Sequence, residues 1–243
     1  MDSGAPSPGS IFQRLGLVAL AASSIATSAV AQGPGQLPYV ADFEIWTMEA
    51  DGTGKEALGL AATDFDAYDM RLSPSGEWLV FSGSDLDSGD SGLFLMRASD
   101  YDDPGNVPEL IGPDASFFKR ASWHPGGGWV AYVGNDNKVY LVEALDGDGE
   151  PVGGAPETIT DESSSVWVTD CAFAPDGRNL LVCQFDADLA LIEVFDANGA
   201  RTANVIDDPL TPLTDVFVGH ARWPSFSPDG KRLGATCGSD PVA

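Results

Sequence analysis

The chain has 243 residues, 43% of them hydrophobic, with 28 glycines and 17 prolines, and a formal net charge of −25 from 37 acidic and 12 basic residues. Such a length holds one substantial core or two small ones, and so many turn formers argue against a helical bundle. The charge excludes nucleic acid and anionic lipid as natural partners, since both would be repelled, and favours a basic protein, a cation or a saline medium.

Residues 1–31 read as an export signal. Arg14 precedes the apolar stretch Leu15 to Ala22, small residues follow, and Ala29-Val30-Ala31 offers a cleavage site after Ala31. An uncleaved membrane anchor is the rival reading. Cleavage would leave a periplasmic or secreted protein. Beyond Ala31 no run of about 18 apolar residues occurs, so no membrane span is expected in the mature chain. Residues 32–42 read as a linker and 43–243 as the folded domain.

The folded part opens with Phe43 to Met48, whose alternation is that of a half-buried strand, and a short strand at Glu56 to Leu60. A recurring hairpin follows. Its copies are Leu72-Ser73-Pro74-Ser75-Gly76 before Glu77 to Phe81, Trp123-His124-Pro125-Gly126-Gly127 before Gly128 to Tyr132, Phe173-Ala174-Pro175-Asp176-Gly177 before Arg178 to Val182, and Phe226-Ser227-Pro228-Asp229-Gly230 before Lys231 to Ala235. Proline presets φ, Ser or Asp bonds to the nearby backbone, and glycine accepts positive φ to close the turn. Leu72, Trp123, Phe173 and Phe226, with Leu79, Val130, Leu180 and Leu233, are expected to pack between neighbouring units. A third strand follows each of the first three hairpins, at Leu93 to Met96, Val139 to Val142 and Leu189 to Phe195, with short outer strands at Glu109 to Ile111, Glu157 to Thr160 and Thr202 to Ile206.

The four prolines lie 51, 50 and 53 residues apart, a period that suits one four-stranded propeller blade with its loops. The motifs resemble the WD40-like repeat of the TolB β-propeller family, above all Ser-Pro-Asp-Gly-Lys-Arg at 227–232 and Ile-Trp-Thr-Met-Glu-Ala-Asp-Gly-Thr-Gly at 45–54. The reading is therefore an all-β propeller of four-stranded antiparallel blades with about four blade equivalents. Its closing blade would combine Phe43–Leu60 with Arg222–Cys237; if the ring stays open, its edges invite an oligomer.

The resemblance implies an exported, non-enzymatic scaffold that binds a protein or peptide, a basic one on grounds of charge. The alternative is the propeller of a prolyl-oligopeptidase-like hydrolase or of another propeller enzyme. No Gly-x-Ser-x-Gly elbow is present, and the only histidines are His124 and His220. Binding residues are expected in the connections that meet around the central opening: Asp66, Asp69, Asp114, Asp161, Glu162 and Asp215 as a ring of carboxylates, with Phe117 and Trp167 as anchors. Two acidic loops offer oxygen ligands of the kind Ca²⁺ takes, Asp85, Asp87 and Asp90 in one and Asp146, Asp148 and Glu150 in the other, against the plainer reading of solvated turns. Cys171 and Cys183 flank one hairpin, where a disulfide competes with two buried thiols.

Overall fold

The computed structural model describes residues 36–57, 65–98, 107–117, 119–161, 166–185, 189–204, 206 and 220–238. These residues form strands and turns only. The expected signal segment lies outside them.

Five antiparallel sheets follow one another along the chain. The first holds β1 (Gln36–Ala41), β2 (Glu44–Glu49) and β3 (Glu56–Ala57). The second holds β4 (Phe65–Leu72), β5 (Trp78–Asp85), β6 (Ser91–Arg97) and β7 (Glu109–Pro113). The third holds β8 (Ser122–Trp123), β9 (Trp129–Val133), β10 (Val139–Glu143) and β11 (Glu157–Thr158). The fourth holds β12 (Val168–Phe173), β13 (Asn179–Gln184) and β14 (Leu189–Glu193), and the last β15 (His220–Phe226) and β16 (Leu233–Gly238). Within each sheet, neighbours in sequence are neighbours in space.

The hairpin turns match across the four copies. Gly76, Gly127, Gly177 and Gly230 have φ of 77°, 84°, 68° and 67°. Their amides donate to the carbonyls of Ser73, His124, Ala174 and Ser227 at 2.8–3.0 Å. Where the residue before proline is serine, its hydroxyl accepts an amide at or just before the start of the next strand, from Trp78 at 3.1 Å and Arg232 at 2.9 Å.

Apolar faces meet between sheets rather than within one, as a four-stranded sheet cannot cover both its faces alone. Leu79, Phe81, Phe94 and Met96 pack on Ile45 of the first sheet. Val80, Leu93 and Leu95 pack on Trp123, Val130 and Val142 of the third. Leu141, Val133 and Ile159 pack on Phe173, Leu180 and Val182 of the fourth, and Leu181, Cys183 and Leu189 receive Phe226 and Ala235. The expected packing residues lie in or against these clusters with one exception. Leu233 is 38% exposed, because its sheet has only two strands.

Three expectations are corrected. The strand at Phe43 to Met48 does not pair with the final hairpin. Its inner partner is β1, in register from Gln36↔Glu49 to Ala41↔Glu44, so among the described residues β2 and β3 form no composite blade with β15 and β16, and part of the expected linker is a strand. The outer strand expected at Thr202 to Ile206 is reduced to bridges, Phe195↔Arg201 and Thr160↔Ile206. Cys171 and Cys183 are buried and not joined by a disulfide. The bulge in β12 sets Cys171 opposite Val182 and Asp170 opposite Cys183. The two thiols therefore point to opposite faces of the sheet, into different clusters, and no disulfide can join them.

Candidate binding mouth

The first strands of the later sheets, β4, β8, β12 and β15, lie next to one another and make the inner wall. The mouth is the end where these strands begin; the proline turns stand at the other end. The repeat places one residue in or just before each inner strand, five before its proline, at an equivalent repeat position: Asp69, Arg120, Asp170 and Trp223. Bulges at Tyr68 and Thr169, the same repeat position, reset the strands just before the two aspartates.

The four residues form a coupled set. Asp69 pairs with Arg71 at 3.0 Å, and Arg71 also donates to the carbonyl of Met70 at 2.6 Å. Arg120 feels Arg71, Asp69 and Asp170 besides its burial, and its guanidinium lies 5.1 Å from the Trp223 ring centre. Asp170 is 1% exposed. Its oxygens accept the amide of Cys171 at 2.9 Å and, across to the next sheet, that of Trp223 at 3.0 Å. Trp223 sits at a bulge in β15 with φ of 54°. Burial pushes the Asp170 carboxyl up to about 6, against the two amides and the arginines. Lys119, one residue before Arg120, donates to Asn137 Oδ1 at 2.5 Å and the Val168 carbonyl at 3.0 Å. Burial brings it down to about 8, with Asp136 and Asp170 opposing.

Arg71 and Lys119 thus meet carboxylate, amide or carbonyl oxygen of the inner wall, and Arg120 faces the Trp223 ring. Of the expected carboxylate ring, Asp69 is the ion-pair partner of Arg71. Sequence reading named only Asp69 of this inner set, because its members come from four repeats and only the column of residues five before each proline would have exposed it.

Acidic and aromatic groups remain at the rim. Asp42, Asp66, Asp114, Asp136 and Asp161 stand on the turns and strand starts of the mouth end. Asp136 accepts the Tyr140 hydroxyl at 2.8 Å; burial and that bond push the Tyr140 phenol up to about 12. Phe117 stacks on Tyr68 with ring centres 4.5 Å apart, and Tyr68 meets Phe43 edge-on at 5.3 Å, so three aromatics from three successive sheets form a row. Trp167, at the repeat position of Phe117, is 52% exposed and stacks on Phe185 at 5.0 Å. Phe117 and Trp167 were expected here; Phe43 and Tyr68 were not. Glu162 and Asp215 lie outside the described residues.

Both acidic loops carry the backbone bonds of ordinary turns. Asp146 Oδ1 accepts the amides of Asp148 and Glu150 at 2.8 and 3.0 Å. The same two bonds recur at Asp196, to Asn198 and Ala200, in a turn with no acidic neighbour of that kind. The geometry is that of the repeat, and Glu150 turns away to Arg97 at 3.1 Å. Asp85 Oδ1 likewise accepts the amides of Asp87 and Ser88, and Asp90 the Ser88 hydroxyl. Among the described residues no three carboxylate, imidazole or thiolate groups converge as metal ligands. His124 is also spent on structure, at the end opposite the mouth. Its Nδ1 accepts the Gly126 amide at 2.9 Å and its Nε2 lies 2.8 Å from the Gly177 carbonyl.

Comparison with known proteins agrees with this architecture. The family profile "WD domain, G-beta repeat" matches residues 156–191. No curated protein sequence matches the chain. Among solved structures, a putative TolB from Agrobacterium tumefaciens superposes with a TM-score of 0.60 at 18% identity, over 86% of this chain and 68% of that one. A luciferin-regenerating enzyme gives 0.54 at 13% identity, over 86% and 68%. Regucalcin from Agrobacterium tumefaciens, a calcium-binding protein, gives 0.55 at 14% identity, over 87% and 67%. Identities this low speak for the fold alone, and the group includes an enzyme as well as TolB. No helix among the described residues is long and apolar enough to cross a membrane.

Proposed function

We propose that this chain, a β-propeller built of WD40-like repeats, is an exported, non-catalytic scaffold whose mouth receives a basic segment of a partner protein. One observation carries the reading. In a chain of net charge −25, basic side chains of the inner wall are drawn inward against Asp69, Asn137 and backbone oxygen, while Asp42, Asp66, Asp114 and Asp161 stand with Phe117 and Trp167 at the rim. Such a surface attracts a cationic partner at long range and offers apolar anchors on contact. Export rests on the leader-like residues 1–31. The non-catalytic reading is supported by His124, whose two ring nitrogens are both engaged in turn contacts away from the mouth. The reading assigns no metal.

The test is a titration with polylysine at low and at physiological salt. Replacing Asp42, Asp66 and Asp114 together by asparagine should weaken binding about tenfold or more and flatten its salt dependence. Neutralising Glu49, Glu77 and Asp148 at the other end should change it little. Equal losses from both sets would refute a binding mouth.

A further inference from the structure

We infer that the row Phe43–Tyr68–Phe117 is a platform for an arginine side chain of the partner, so that the mouth selects arginine over lysine. This inference rests on the proposed binding of a basic segment and names the residue type that is bound.

The argument begins at Phe43. Asp42 and Phe43 are the two residues between Ala41 and Glu44, a paired position, and both have positive φ, 53° and 66°. A two-residue hairpin of this kind favours Asn or Asp followed by glycine, since only glycine enters the second position without a Cβ penalty. Phenylalanine is an unfavourable choice there. It does not repay the strain by burial, being 55% exposed. Local folding preference therefore does not explain the side chain, and strain of this sort gathers where a surface is used. The turn is held in place at the mouth, where the Phe43 carbonyl accepts the Ala67 amide at 2.7 Å, one residue before the bulge that presents Tyr68.

The chemistry of the row selects the guest. Aromatic faces attract cations, and a planar guanidinium stacks on them while keeping its edge free to bond carboxylates; an ammonium cannot do both in one plane. Carboxylates accompany each ring in the chain: Asp42 beside Phe43, Asp66 two residues before Tyr68, Asp114 three before Phe117. The protein uses the same combination internally. Arg97 lies 4.5 Å from the Trp78 ring centre while its guanidinium meets Glu150 at 3.1 Å.

Two Gly–Ser peptides of equal charge test the idea, one carrying arginines and the other lysines at the same positions, titrated by calorimetry against the full chain. The arginine peptide should bind about tenfold more tightly. Phe43→Gly should remove that preference while melting no lower than the parent, because glycine is the residue the turn favours; Phe117→Ala should weaken it as well. Equal binding of both peptides would overturn the platform and leave an acidic mouth. A preference untouched by Phe43→Gly would overturn it too. Binding of neither peptide would overturn both the platform and the reading beneath it.

Discussion

Asp170→Asn should change the stability of the protein in a pH-dependent way that can be worked out in advance. The carboxylate is buried, ties β12 to the bulge of β15 through the Trp223 amide, and is pushed up to about 6 from an ordinary 3.8, chiefly by burial. Between those two values the folded chain holds the proton and the unfolded chain has released it. The folded state binds more protons, so this group's contribution falls as pH rises from 3.8 to about 6 and is constant above. The gap corresponds to about 3 kcal/mol. Asparagine keeps an acceptor for one amide but cannot ionise. The stability of the parent relative to Asp170→Asn should therefore drop by about 3 kcal/mol across that window, while titrations common to both proteins cancel. Urea unfolding of the pair at matched pH values measures it. A difference independent of pH, or one that grows as pH rises, would refute the argument that burial dominates at Asp170.

Three further outcomes follow from the geometry. Gly92→Ala should cost about 3 kcal/mol or more, because a Cβ there would collide with the Gly112 carbonyl and φ is 157°, whereas Gly147→Ala meets nothing and should be neutral; thermal melts compare them. His124→Ala loses its contacts to the Gly126 amide and Gly177 carbonyl and its edge contacts to Phe173 and Phe195, and should cost about 2 kcal/mol by urea titration. Lys119 is held down at about 8 against an ordinary 10.5, so the unfolded chain binds more protons between those values and stability should rise with pH there; Lys119→Met should abolish that rise.

The repeat was legible because each hairpin is specified locally. Pro74, Pro125, Pro175 and Pro228 fix φ, the following glycines supply positive φ, and the apolar residues on either side have nowhere to go but the neighbouring sheet. β1 was not legible: Gln36 to Ala41 contains Pro38 and lacks a proline turn before it, so composition disguised a strand that only pairing with β2 defines. The separation of Cys171 from Cys183 turned on a one-residue bulge, which sequence spacing does not show. At the site, Phe117 and Trp167 could be placed by their common offset from proline. The link from Asp170 to Trp223 could not, since it joins two repeats through a backbone amide whose exposure depends on the β15 bulge. At Asp146 an acidic turn and an oxygen-ligand loop share a composition, so sequence alone does not reveal that its Oδ1 bonds its own backbone.

Backbone hydrogen–deuterium exchange with and without the arginine-bearing peptide tests the location of binding most directly. Slowed exchange in 40–44, 112–117 and 166–168, with the proline turns at 73–77 and 124–128 unchanged, is the predicted pattern. Protection centred on those turns, or spread evenly over all five sheets, would contradict a ligand received at the mouth.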